Sequence, residues 1–174
     1  MMIETSRLRL RPLTQQDWPF FLRLHQHTEV MRFISDLCEQ SQIRAQFDGR
    51  LIDWNKECGA WLTLLIEEKD SGEPVGLHGF LSSWLPYQQA ELGFMLTPEH
   101  QGKGYAKEST RAVIDFAFNQ CGYHKLTATV TEGNEASFNL LTRLGFEHEG
   151  TLRDNYQLGG QWCHDQKLGL ISSR

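Results

Sequence analysis

No stretch of this 174-residue sequence approaches the roughly 18–20 consecutive apolar residues that a membrane helix needs. The longest candidate, Trp61 to Ile66, is interrupted by Thr63 and has the length of a buried strand. Met1 to Arg7 contains no basic segment followed by an apolar run, so the N-terminus does not read as a signal peptide. Cysteine is sparse. Cys38, Cys58, Cys121 and Cys163 stand far apart without a Cys-x-x-Cys pair, and read as reduced thiols of a cytoplasmic protein. Basic charge is also in deficit: 17 Lys and Arg against 22 Asp and Glu leave a formal charge of −5. That balance argues against the broad basic footprint of most nucleic-acid binders, while leaving room for a local patch. No internal repeat, low-complexity tract or Pro/Ser-rich linker divides the chain, so residues 1–174 are expected to form one domain. A chain of this length buries roughly 70% of its unfolded surface, enough for a core without staples.

Hydrophobic periodicity supplies the order of elements. Leu8 to Arg11 alternates as a strand and stops at Pro12. Thr14 precedes an apolar stripe of Phe20, Phe21 and Leu24, and Ile43, Phe47, Leu51 and Trp54 predict a second helix over about 42–56. The period then changes to two. Trp61 to Glu67 and Val75 to Leu81 read as a hairpin, followed by a strand at Glu91 to Leu96. A helix over about 106–120, a β-branched strand at Lys125 to Thr131, a short helix over 135–144 and a hairpin turning at Gly159-Gly160 complete the chain. The pattern predicts an α/β (α+β) fold with a mixed, mostly antiparallel sheet of about six or seven strands flanked by helices.

The segment Gln101-Gly102-Lys103-Gly104-Tyr105-Ala106 lies between a strand and a helix. Two glycines allow a tight turn, and the unpaired amides at a helix start suit a phosphate or pyrophosphate. It is not a P-loop, because Gly104 follows Lys103 where Ser or Thr is required, and it lacks the third glycine of a dinucleotide loop. Gln101, Gly104 and Ala106 match the Gln/Arg-x-x-Gly-x-Gly/Ala loop, and Asn134-Glu135-Ala136-Ser137 leading to Gly145-Phe146 matches the second motif, of the GCN5-related N-acetyltransferases (GNAT), which the chain resembles over nearly its whole length. Thr5 to Pro12, Ala90 to Phe94 and Gly160 to Asp165 resemble the ribosomal-protein N-terminal acetyltransferase branch (RimJ/RimL-like).

The resemblance implies acetyl-CoA as cosubstrate, held in a gap between the strands Glu91–Leu96 and Lys125–Thr131. Phe94, Met95 and Leu96 would meet the pantetheine arm, the amides of Gln101, Gly102, Lys103, Gly104, Tyr105 and Ala106 the pyrophosphate, and Asn134 the cofactor. Lys103, Lys107 and Arg111 either add charge near the phosphates or are solvated surface cations. Leu141 stands where many members of the superfamily place a proton-donating tyrosine, which makes Ser137 the candidate donor to the CoA thiolate, against a simple helix-capping role. Glu91 is the candidate base if burial raises its pKa, with His78 as a rival. The expected acceptor is a primary amine: a protein N-terminus, as the branch suggests, or a polyamine, amino sugar or amino acid. The different-class alternative is a non-catalytic acyl-CoA sensor. Trp84, Pro86 and Tyr87 form either an acceptor wall or a packed loop. Neighbouring side chains on a strand point to opposite faces, so Cys163, His164 and Asp165 do not suggest a metal site. Neither a nucleic-acid nor a membrane partner is expected, and a monomer or a homodimer fits equally.

Overall fold

The computed structural model describes residues 1–173. Its strands are β1 (Ile3–Glu4), β2 (Leu8–Pro12), β3 (Trp61–Glu68), β4 (Pro74–Ser83), β5 (Gln89–Leu96), β6 (Lys125–Thr131), β7 (Glu147–Leu158) and β8 (Gln161–Ile171), and they form one open sheet in the order β1-β2-β3-β4-β5-β6-β8-β7. Every pairing is antiparallel except that between β5 and β6. The sheet therefore has eight strands, not six or seven. The additional one, β1, has two residues, too few to show a period, and exists because Ile3 and Glu4 find Leu10 and Arg9 opposite them.

The helices are α1 (Trp18–His25), α2 (Thr28–Met31), α3 (Gln40–Gly49), α4 (Tyr105–Asp115), which widens into a π-helical turn over Phe116–Cys121, and α5 (Glu135–Arg143). Alternation in the strands divides the apolar residues between two layers. Leu62, Leu64 and Ile66 of β3 face a core shared with Val113 and Ala117 of the α4 segment and Leu141 of α5. Leu65 of β3 and Leu77 of β4 face Phe20, Phe21 and Leu24 of α1 and Ile43 and Phe47 of α3. Full burial of such a side chain is worth about 1.5–3 kcal/mol, so each layer ties its helices firmly to the sheet. The predicted helix over 42–56 ends early, at Gly49, with Arg50 as its cap. Tertiary packing separates the two halves of that apolar pattern: Phe47 belongs to the α1 layer, whereas Trp54 packs against the opposite core, edge-on to Phe80. Among the described residues, no helix is long and apolar enough to cross a membrane.

Candidate active site

The sheet opens at its parallel pair. β5 and β6 are in register only from Gln89 and Lys125 to Leu92 and Ala128. Beyond that point β5 stays paired with β4 as far as Leu96, and β6 with β8 as far as Thr131. The two strands thus part after Leu92 and Ala128, and one edge of Gly93 to Leu96 is left without a strand partner. A cavity of about 710 Å³ occupies this gap and the α1/α3 face beside it. It brings together Glu91, Phe94, Met95, Asn134 and Ser137, whereas Leu96 and the loop over 101–106 lie outside its lining. Gly93 sits where the strands part, and a Cβ there would come within 3.0 Å of the Trp61 ring.

Past β5, a single 3-10 turn (Pro98–His100) leads through the glycine loop into α4. Gly102 and Gly104 have φ of +74° and +82°, in the left-handed region, and Gly104 is the N-cap of α4. Gln101 to Gly104 are exposed, so the amides that open the helix face solvent at the positive end of its dipole. The Gln101 side-chain amide donates to the Leu96 carbonyl at 3.3 Å, tying the loop to the end of β5. Tyr105 offers only its main chain, because its ring is buried and its hydroxyl donates to Glu68. Lys103, Lys107 and Arg111 are exposed and form no ion pair among the described residues.

The Thr5-Ser6-Arg7 segment braces this loop. Glu108, in the first turn of α4, accepts hydrogen bonds from the Thr5 and Ser6 hydroxyls at 2.6 and 3.1 Å and from the Arg7 amide at 2.9 Å, and pairs with the Arg7 guanidinium at 2.7 Å. Burial alone would raise the Glu108 carboxyl, but these donors outweigh it and hold its pKa at about 2. Arg7 also donates to the Lys103 carbonyl at 2.9 Å and lies 4.6 Å over the Tyr105 ring.

On the opposite bank, Asn134 caps α5 by accepting the Ser137 amide at 3.3 Å. The Ser137 hydroxyl is not the cap, and no protein group among the described residues engages it. A second hydroxyl, that of Tyr156, also reaches the cleft. Thr131 donates to the Phe33 carbonyl at 2.9 Å, so in its short contact with Tyr156 the tyrosine is the donor and its proton is committed.

Glu91 is not buried: its side chain is 39% exposed, accepts the Thr129 hydroxyl at 2.7 Å and lies 4.0 Å from the Lys167 ammonium. It fronts both the main cleft and a second cavity lined by Trp84, Ser83 and Glu57, to which neither Pro86 nor Tyr87 contributes. His78 is fully buried, bonds Thr110 at 2.9 Å and stacks on Phe94, and its Nδ1 has no partner among the described residues. Desolvation pushes its pKa down to about 3, so it is neutral and a poor proton acceptor at physiological pH.

Sequence reasoning missed Arg50, His25, Thr129, Thr131 and Tyr156, all of which line the cleft. Arg50 carried no signal, because it fell inside the predicted second helix. Thr129 and Thr131 were visible only as part of the β-branched pattern of their strand.

An open sheet whose parallel strand pair parts midway, with a left-handed glycine at the start of the helix between them, is a fold shared with a solved acetyltransferase (GNAT family) from Bacillus anthracis, at a TM-score of 0.82 and 22% identity over 98% of both chains. Residues 7–147 match the acetyltransferase (GNAT) domain model, and the chain belongs to that family of acetyl-CoA-dependent N-acetyltransferases. It is 33% identical over 162 residues to the uncharacterized N-acetyltransferase YoaA of Bacillus subtilis, covering 90% of this chain and 89% of that one. Spermidine N(1)-acetyltransferase of Escherichia coli is 27% identical over 166 residues, covering 89% and 81% respectively. The fold is shared with spermidine N-acetyltransferase from Vibrio cholerae, solved in complex with CoA and spermine, at a TM-score of 0.85 and 22% identity over 96% of both chains. A putative ribosomal-protein-serine acetyltransferase from Vibrio cholerae aligns at a TM-score of 0.79 and 21% identity, over 99% of this chain and 98% of that one.

Proposed function

We propose that the cleft takes acetyl-CoA with its pantetheine arm along the open edge of Gly93 to Leu96 and its pyrophosphate at the amides of Gly102 to Ala106, and passes the acetyl group directly to a primary amine. The observation that carries this reading is the parting of β5 and β6 after Leu92 and Ala128, with Ser137 and Glu91 lining the same gap. The residues fit the cosubstrate: the loop is exposed, the Gln101 amide is spent on the Pro98 carbonyl but those after it open α4, and a backbone-dominated site does not need a basic protein.

The amine nitrogen attacks the thioester carbonyl carbon, the C–S bond breaks, and CoA leaves as a thiolate. Ser137, whose hydroxyl proton is uncommitted, is the donor to that sulfur. Glu91, oriented by the Thr129 hydroxyl, takes the proton from the incoming ammonium directly or through water, a role suited to an accessible carboxylate. No cysteine lines the cleft, and burial pushes the Cys121 thiol up to about 11, which favours direct transfer over an acetyl-cysteine intermediate.

The branch motifs Thr5 to Pro12, Ala90 to Phe94 and Gly160 to Asp165 support a protein N-terminal α-amine as acceptor, with a ribosomal protein as one such target. The spermidine acetyltransferases among the relatives support a polyamine as the second reading. Thiol release from acetyl-CoA across N-terminal peptides, polyamines and aminoglycosides separates the two. No release with any amine, alongside a clear thermal shift by acetyl-CoA, would instead identify a sensor.

A further inference from the structure

The charges that line the cleft are not equally satisfied. Glu91 accepts from Thr129 and sits beside Lys167, and Asp165 accepts from Asn155 at 2.7 Å. Arg50 is the exception. Its guanidinium lies 4.6 Å over the Trp61 ring and reaches only the Thr63 hydroxyl, at 3.4 Å, with no carboxylate partner among the described residues. Half-buried against an aromatic face, a cation gives up hydration without receiving an anion in return, which leaves it poised for an anionic ligand. His25, which also lines the cleft, does not supply one: its ring donates to the Phe21 carbonyl at 2.8 Å.

Register gives the spacing. Trp61 is opposite Leu81, and Leu81 is opposite Glu91, so the backbone that carries the arginine platform stands two strands from the proposed base, while the ring itself reaches across to Gly93. Strands lie about 4.8 Å apart, which places those backbones about 10 Å from each other. An extended peptide advances about 3.3–3.6 Å per residue. A peptide with its α-amine at Glu91 therefore brings the side chain of its second or third residue towards Arg50.

Building on the N-terminal acetyltransferase reading, we infer that Arg50 forms an anion subsite at the acceptor end of the cleft, selecting N-terminal peptides with a carboxylate side chain at the second or third residue over polycations. A polyamine placed along the same path would set a second ammonium against an unpaired guanidinium.

The test uses the full chain and C-terminally amidated peptides, so that the side-chain carboxylate is the only anion: Ala-Glu-Ala-Ala against Ala-Gln-Ala-Ala, and Ala-Ala-Glu-Ala against Ala-Ala-Gln-Ala, with spermidine and free glutamate as further arms. Wild type should prefer a glutamate peptide by at least about tenfold in kcat/KM, the scale of one hydrogen bond to a charged group. Arg50→Gln should bring that ratio to about one, and Arg50→Lys should restore part of it. An acetyl-CoA thermal shift checks that each variant is folded. Equal rates on the paired peptides, a preference that survives Arg50→Gln, or a better rate with spermidine or glutamate than with every peptide would overturn the subsite. Absence of thiol release with any peptide would overturn the N-terminal reading as well, so the two failures are distinct.

Discussion

Replacing Gly104 by valine puts a β-branched side chain at φ +82°, a conformation that costs an L-residue roughly 1–2 kcal/mol. A domain of this size loses about 2–4 °C in Tm per kcal/mol, so the variant should melt about 2–8 °C lower and remain folded. Its new Cβ lies 3.3 Å from the Arg7 guanidinium, which Glu108 holds at 2.7 Å, so the brace must give by a few tenths of an ångström. Relieving the strain also turns the peptide planes on either side of residue 104 and moves the amides of the loop. If two amides bond the pyrophosphate at about 1.5–3 kcal/mol each, their loss removes about 3–6 kcal/mol, or about two to four powers of ten in Kd. Titration calorimetry with acetyl-CoA reads that change directly. Gly160→Val is the control: Gly160 has φ +76° in the β7–β8 turn and nothing within 4 Å of its Cβ position, so it imposes similar strain at the opposite edge of the sheet from the glycine loop's brace and should leave Kd unchanged. A Gly104→Val protein that melts lower yet binds acetyl-CoA within about threefold of wild type would refute the loop assignment.

Ser137→Ala should lower kcat by about 10²–10⁴ with little change in acetyl-CoA affinity or Tm, because Asn134, not the hydroxyl, caps α5; wild-type turnover would remove the serine from the mechanism. Glu91→Gln should lower kcat/KM most at neutral pH, and the deficit should shrink as rising pH deprotonates the amine in solution; a deficit independent of pH would assign Glu91 a structural role. His78 is held neutral in the native state by burial, with its pKa at about 3 against an unfolded value near 6.5, so the unfolded chain binds the extra proton between those limits. Stability should consequently fall as pH drops below 6.5, by up to about 1.4 kcal/mol per pH unit, and urea titrations of His78→Leu should lack that component.

Much of the fold was legible because it is written in short-range patterns. Alternation marked seven of the eight strands, and the helical stripe of α1 packs as its spacing implied. The loop over 101–106 and the Asn134–Ser137 segment stood out because each is contiguous. Arg50 did not, since a residue at a helix end reveals its role only once Trp61, eleven positions later, lies beneath it. The same holds for Glu91, whose accessibility and proximity to Lys167 depend on β8 lying next to β6.

The sequence by itself determined the element order, the glycine loop, the pair Asn134 and Ser137 on one helical turn, and through these motifs the resemblance to the acetyltransferases. These features are local: a turn needs its glycine and a cap needs its asparagine wherever the chain goes next. Only the tertiary structure decided that β5 and β6 part after Leu92 and Ala128, that Thr5 to Arg7 brace the loop through Glu108, and that Arg50 stands unpaired over the cleft. Each of these depends on groups brought together by sheet register and packing, and pairings between distant segments leave no periodic trace in the chain.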